Sequence, residues 1–252
     1  MTTLIAVAGP PGAGKTHWIA RQLAQQTTPC YYYSPRTEAL PLDAAYLQAQ
    51  FPDLHQAKGL PHVLPSADGL FYLELPWQLD LAAAEALLQA WPCQRVAVVP
   101  AGEAAAPWQA WADTVVGHDP SGMLGDRPWA QPSWVEPDPP AWQFQRGLLG
   151  EERLEAASLD TFWLELSRGA YGRIRRAKGL FYLQDSSACW VSWTVGQTVP
   201  PFWHDLPPAP SDSPYPTGLE VIGLQLEGQA IAQTLQDCCL PAEAGAPVAS
   251  EP

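Results

Sequence analysis

Hydrophobic and polar positions follow two regimes along the 252-residue chain. In the first half, short runs that are apolar throughout alternate with helical patterns. Residues 3–8 (TLIAVA) form an apolar run of the kind a buried parallel strand needs. A helix is expected from Lys15 to about Gln26, with Ile19 and Leu23 four apart on its buried face and Pro29 ending the segment. Cys30-Tyr31-Tyr32-Tyr33 has the β-propensity of a second strand. Residues 43–51 read as a helix, followed by a loop rich in Pro and Gly. Gly69–Leu75 (GLFYLEL) predicts a third strand, and Gln78–Trp91 a helix with Leu79, Ala83, Leu87 and Trp91 spaced by four. Arg95–Val99 is a fourth strand and Thr114–Val116 a short fifth. Strands alternating with helices predict a doubly wound α/β parallel sheet over residues 1–117.

The segment 118–140 holds six prolines and two tryptophans and reads as a linker. Beyond it the pattern changes. Residues 141–149 form a strand, and a helix follows near 158–168 with Asp160 or Ser158 as its N-cap. Residues 173–183 and 188–195 read as paired strands, because Cys189, Val191, Trp193 and Val195 take every second position. A Pro-rich loop is expected over 200–216, then a strand near 219–224. A last helix places Ile231, Leu235, Cys238 and Cys239 on one face. Residues 141–240 are therefore a smaller α+β domain, and 241–252 a disordered tail. The pentapeptide GLFYL occurs at 69–73 and again at 179–183; with unlike surroundings, it reads as two buried strands of similar composition rather than a duplication.

Composition narrows the function classes. Lys+Arg is 13 against Asp+Glu 26, a formal net charge of −13. That argues against nucleic-acid binding, which needs a basic surface to release counterions, and against docking on an anionic membrane. No apolar run approaches the roughly 18 residues of a membrane span. The start, MTTLIAVAGP, lacks the basic n-region of a signal peptide. Five cysteines, an odd number without scaffold-like spacing, suit reduced thiols. A soluble, acidic, cytoplasmic protein is expected.

One motif carries chemistry. Gly9-Pro10-Pro11-Gly12-Ala13-Gly14-Lys15-Thr16 matches G-x-x-x-x-G-K-[ST] and lies between a predicted strand and a predicted helix. Glycines let such a loop curl so that its N–H groups, here those of Gly9, Gly12, Ala13 and Gly14 among them, face phosphate oxygens. Lys15 then reaches the β- and γ-phosphates and the Thr16 hydroxyl ligates Mg²⁺, with the helix N-terminus adding its dipole.

In the C-terminal half, Arg176-Ala177-Lys178-Gly179 leads into a strand, and Gly218-Leu219-Glu220-Val221-Ile222-Gly223 precedes the last helix. These stretches resemble the RAKG and ELVFIG segments of the CobW family's C-terminal domain. In that family the domain follows a P-loop GTPase domain related to the HypB and UreG metallochaperones. Glu38 and Leu42-Asp43-Ala44 are similar to the family's switch stretch, and Leu73-Glu74 to its Walker B strand. The resemblance implies a P-loop NTPase sheet followed by a smaller α+β domain. It also implies nucleotide hydrolysis with Mg²⁺, GTP ahead of ATP, in the service of metal or cofactor handling. The chain departs from the pattern in three places. The family's CxCC metal motif is absent, leaving Cys30, His55 and His62 nearby, so zinc is not expected. The guanine-reading N-K-x-D is replaced by Pro100-Ala101-Gly102-Glu103, where Glu103 alone retains a carboxylate to accept from the base. Pro76-Trp77 stands where the family has its γ-phosphate-sensing Gly.

Among the remaining candidates, Glu74 at a strand end positions Mg²⁺ or a water, with Asp68 as the alternative carboxylate. The run 168–178 (RGAYGRIRRAK) holds five basic residues and reads as a solvated strand edge or a docking face for an acidic protein partner. No Lys or Arg follows Lys178, so the acidic final third is a further candidate to pair with it. Cys238-Cys239 reads as core packing. Three functions remain open on sequence: a slow P-loop nucleoside-triphosphatase, a degenerate nucleotide-binding scaffold without turnover, and a small-molecule kinase.

Overall fold

Two six-stranded sheets organise the residues described by a computed structural model of the chain, namely 2–35, 40–59, 68–100, 106–118, 143–150, 152–195, 197, 202–210 and 213–241. The first sheet contains β1 (Thr3–Ala8), β2 (Cys30–Tyr33), β3 (His55–Gln56), β4 (Leu70–Glu74), β5 (Cys93–Pro100) and β6 (Thr114–His118). Their order is β3-β2-β4-β1-β5-β6, and every pairing is parallel. Four helices connect them: α1 (Lys15–Leu23), α2 (Leu42–Gln50), α3 (Leu81–Leu88) and α4 (Ala106–Trp111). Both faces are covered, so the strands need apolar residues at consecutive positions. Ile5, Val7, Tyr32 and Val98 pack with Ile19 and Leu23 of α1 and Leu47 of α2. Leu4, Ala6, Phe71 and Leu73 pack on the opposite face with Ala84 and Leu88 of α3 and Trp111 of α4.

The predicted parallel α/β sheet is therefore present, with shorter helices than the periodicity suggests. Helix α3 begins at Leu81 rather than Gln78 because the Asp80 carboxylate accepts from the Ala83 N–H at 2.7 Å and fixes the N-terminus there. Strand β3 and helix α4 are too short to leave a periodic signal.

The second sheet comprises β7 (Gln143–Leu148), β8 (Arg153–Leu154), β9 (Arg173–Leu183), β10 (Ala188–Thr194), β11 (Phe202–Leu206) and β12 (Gly218–Leu224). Its order is β11-β10-β9-β12-β7, antiparallel throughout, with β8 added parallel to β9. Helices α5 (Ala156–Ser167) and α6 (Gly228–Asp237) cover one face, where Cys189, Val191, Trp193, Leu219 and Val221 meet Phe162, Trp163, Ile231 and Leu235. The other face is not solvated. Leu180, Ala188, Trp190 and Leu206 join the core that includes α1 and α2. Trp190 stacks on Tyr46 with ring centroids 4.2 Å apart. The two sheets thus share a core across α2. The two copies of GLFYL fall one in each sheet, β4 and β9.

Three expectations are corrected. Helix α5 starts at Ala156 behind Glu155, and neither Asp160 nor Ser158 caps it; the Ser158 hydroxyl donates to Glu155 instead. The presumed loop 200–216 contains β11, a short edge strand between Pro201 and Pro207 whose flanking prolines dominate the local pattern. The basic stretch 168–178 is no solvated edge, because β9 lies between β10 and β12. Arg175 and Lys178 are buried, while Arg168 and Arg173 stay exposed. Of the proposed internal pairing with the final third, Glu220 supplies one instance: it takes Arg176 at 3.4 Å and Arg146 at 3.2 Å. The linker from 119 onward and the tail from 242 lie outside the described residues.

Candidate functional site

The loop Gly9–Thr16 joins β1 to α1, the position its motif requires. Gly12 (φ +79°) and Gly14 (φ +84°) take left-handed conformations that only glycine adopts without strain. Lys15 opens α1, and its Nζ donates to Gly9 O at 3.1 Å, curling the loop around the ammonium. Burial lowers the Lys15 pKa to about 8; Glu74 and Asp43 oppose the shift, and Arg176 and Lys178 add to it. Ala13 is buried and its N–H donates to Pro10 O at 3.2 Å.

Thr16, one residue on, meets two carboxylates. Its Oγ1 lies 3.0 Å from Asp43 Oδ1 and 3.3 Å from both Glu74 oxygens. Glu74 comes from the end of β4, and the register Val7↔Glu74 sets it at the carboxyl end of the sheet, where open α/β sheets bind ligands. Asp43 comes from the first turn of α2. Tyr32 of β2 donates its hydroxyl to Glu74 Oε2 at 3.0 Å. Burial, then the Asp43 charge, raise the Glu74 pKa. Burial also acts to raise that of Asp43, but Lys178 and Arg176, with hydrogen bonds from Lys178 and Thr16, hold it below the ordinary carboxylate range.

The second sheet reaches this site directly. The Lys178 ammonium contacts both Asp43 oxygens in a buried ion pair. Arg175 Nε donates to Pro11 O of the loop at 3.3 Å, and Thr194 packs over Gly12. A cavity of about 310 Å³ opens beside Lys15, Asp43 and Glu74, walled on the far side by Arg146, Arg176 and Glu220 and flanked by Trp77 and Phe144.

Of the residues singled out on sequence, Gly9, Gly12, Ala13, Gly14, Lys15, Thr16 and Glu74 converge. Asp68 does not: it precedes β4, at the opposite end of the strand from the loop. Cys30 pairs with Leu70 at that same far end, where burial raises its thiol pKa, and His55 is exposed and stacked on Tyr31. Cys30 and His55 therefore lie away from the loop. Glu38, His62 and Glu103 lie outside the described residues. Among the described residues no group of three or more His, Cys, Asp and Glu side chains is placed to hold a metal. Sequence reasoning missed Tyr32 and Lys178 as site residues and reached Asp43 only through its resemblance to a switch stretch. The signal for Lys178 was present in Arg176-Ala177-Lys178-Gly179, but nothing in one sequence says which carboxylate a strand lysine meets.

A parallel sheet with a G-x-x-x-x-G-K-T loop between its central strand and the next helix defines a P-loop α/β protein joined to a second, antiparallel unit. Residues 150–239, which make up most of that second unit, match the family model of the cobalamin synthesis protein cobW C-terminal domain. No curated protein matches the chain. Two crystal structures align with 94% of this chain and 98% of their own: Zn(II)-bound YjiA GTPase from E. coli, at 10% identity and a TM-score of 0.35, and a Zn(II)-bound triple mutant of YjiA GTPase, at 12% and 0.33. Likenesses that remote carry no functional argument.

Proposed function

We propose that the chain binds a nucleoside triphosphate with Mg²⁺ at Gly9–Thr16 and hydrolyses it slowly, with GTP ahead of ATP. The observation that carries this reading is the Thr16 hydroxyl held between the Asp43 and Glu74 carboxylates one residue after a buried lysine. The donor set fits Mg²⁺, a hard cation that takes oxygen ligands and keeps waters and phosphate oxygens in its shell. Thr16 and Asp43 would hold it and Glu74 would face it through water; bound there, Mg²⁺ neutralises phosphate charge. Lys15 turns from Gly9 O to the β- and γ-phosphates, and loop N–H groups take the remaining oxygens. Glu74, raised by burial and fixed by Tyr32, orients a water in the cavity and accepts its proton.

The Pro76-Trp77 pair in place of the sensing glycine favours a second reading, a nucleotide-binding scaffold without turnover. Use in metal or cofactor handling, and docking of an acidic partner at the exposed Arg168 and Arg173, are extensions of either reading. With no Asn or Lys after β5, selectivity rests on Glu103, and GTP and ATP are expected within about a hundredfold of each other. Among the described residues no helix is long and apolar enough to cross a membrane.

The test is titration of a fluorescent GTP analogue, with ATP as competitor, into the wild type and Lys15→Ala. A charge-assisted bond of about 1.5–3 kcal/mol predicts affinity weakened roughly tenfold to a hundredfold or more. An unchanged dissociation constant overturns the reading, and phosphate release separates turnover from scaffolding.

A further inference from the structure

The contact between the two sheets falls on the very carboxylate the metal would need. Arg176 and Lys178 occupy alternate positions of β9, and the register sets Lys178 opposite Glu220 and Glu220 opposite Arg146, so all four share the face turned toward α2 and the loop. Glu220 is taken by the two arginines, at 3.4 and 3.2 Å. Lys178 reaches across to Asp43, with only 4% of its surface exposed. Removing an ammonium and a carboxylate from water is costly, and each is tolerated there because the other is present.

The pair also blocks a site. Asp43 Oδ1 accepts from the Thr16 hydroxyl and from Lys178 at once. Two cations on one carboxylate repel strongly where water is excluded. We propose that Lys178 is a tethered cation standing beside Asp43 where the metal would bind, and that it gives up Asp43 when Mg²⁺ and nucleotide are bound. The inference rests on the nucleotide-binding reading and adds to it the regulation of that site. Glu220, directly across the ladder from Lys178, offers the released ammonium a second carboxylate beside the cavity. β9 is central in the second sheet, and its opposite face packs on α5 and α6, so loss of the Asp43 contact reports nucleotide state to the CobW-type domain. The coupling does not require the missing glycine after Glu74.

The test uses the full chain and two readouts. In the first, binding of the fluorescent GTP analogue is followed as Mg²⁺ is titrated from an EDTA-treated start, in the wild type and in Lys178→Gln. The expected result is a half-saturating Mg²⁺ concentration at least about fivefold lower in the variant. Its nucleotide affinity in EDTA should change less than that. An unchanged or higher Mg²⁺ requirement overturns the inference and leaves nucleotide binding standing; failure of the wild type to bind nucleotide under any condition overturns both. The second readout needs no variant, and so decides the matter if Lys178→Gln does not fold. Lys15, Lys58 and Lys178 are the chain's three lysines, and Lys58 is exposed. In amine-reactive labelling read by mass spectrometry, Lys178 should gain reactivity relative to Lys58 when Mg²⁺ is added to the nucleotide-loaded wild type. Constant Lys178 labelling on that addition overturns the inference.

Discussion

Nucleotide affinity should fall as pH rises through 8, and Lys15 is the reason. Its ammonium is buried, with loop carbonyl oxygens as its direct hydrogen-bond partners among the described residues, and its pKa is lowered from 10.5 to about 8. That gap corresponds to ~3 kcal/mol of preference for the neutral amine over what water allows. A phosphate beside the same nitrogen restores the preference for the charged form, so above pH 8 binding takes up a proton. The protein is half deprotonated at Lys15 at about pH 8, and the dissociation constant should therefore rise about tenfold between pH 7 and pH 9. Titration of the fluorescent GTP analogue at pH 7, 8 and 9 measures it directly. Calorimetry at pH 9 in buffers of unlike ionisation enthalpy should show uptake of about nine-tenths of a proton. In Lys15→Met the slope should vanish along with most of the affinity. A flat wild-type profile, or a slope that persists in Lys15→Met, refutes the assignment. For folding alone the sign is opposite. A folded pKa below the unfolded value means that the unfolded chain holds more protons between pH 8 and 10.5, so through this group the free protein gains stability as pH rises across that window.

Glu74→Gln should abolish most turnover while retaining nucleotide binding, and it should raise the melting temperature at pH 7. Burial and Asp43 disfavour the Glu74 charge, and since its folded pKa lies above the unfolded value the gain should shrink as pH falls toward 4.5; a lower melting temperature at pH 7 would contradict this. Trp190→Ala removes the ring stacked on Tyr46 and should cost about 3 kcal/mol in chemical denaturation, whereas Trp190→Phe, which also deletes a buried N–H without a partner, should cost far less. Zinc should bind weakly, with little change from nucleotide or from Cys30→Ser; sub-micromolar calorimetric binding lost in Cys30→Ser would restore a metal-delivery role.

How far the sequence reaches depends on the range of the interactions involved. TLIAVA, the glycine loop and the Ile19/Leu23 spacing are local patterns, and β1, the loop and α1 follow from them. Glu74 was recoverable because a parallel strand beside β1 has to end where the loop begins. Tyr32 read only as β-propensity, since its hydroxyl bond to Glu74 depends on which strands become neighbours. Lys178 and Asp43 are 135 residues apart, and their meeting depends on how one sheet docks against another. The alternation of Cys189, Val191, Trp193 and Val195 shows one buried face only, for the same reason: Trp190, on the other face, joins the core shared with α1 and α2. Five positively charged residues in 168–178 read as surface because burial of Arg175 and Lys178 is supplied by partners far along the chain.

The hold of Arg175 on Pro11 O has a kinetic meaning. A phosphate-binding loop that is loose when empty must be ordered by its ligand, and that ordering slows capture and subtracts from affinity. Here the loop is braced from outside by a guanidinium on one side and Thr194 over Gly12 on the other. Its curvature therefore exists before any phosphate arrives. Encounter can proceed close to rigid-body docking, with association rates that depend weakly on temperature. Loosening the brace by Arg175→Ala should slow arrival of the nucleotide more than it hastens departure.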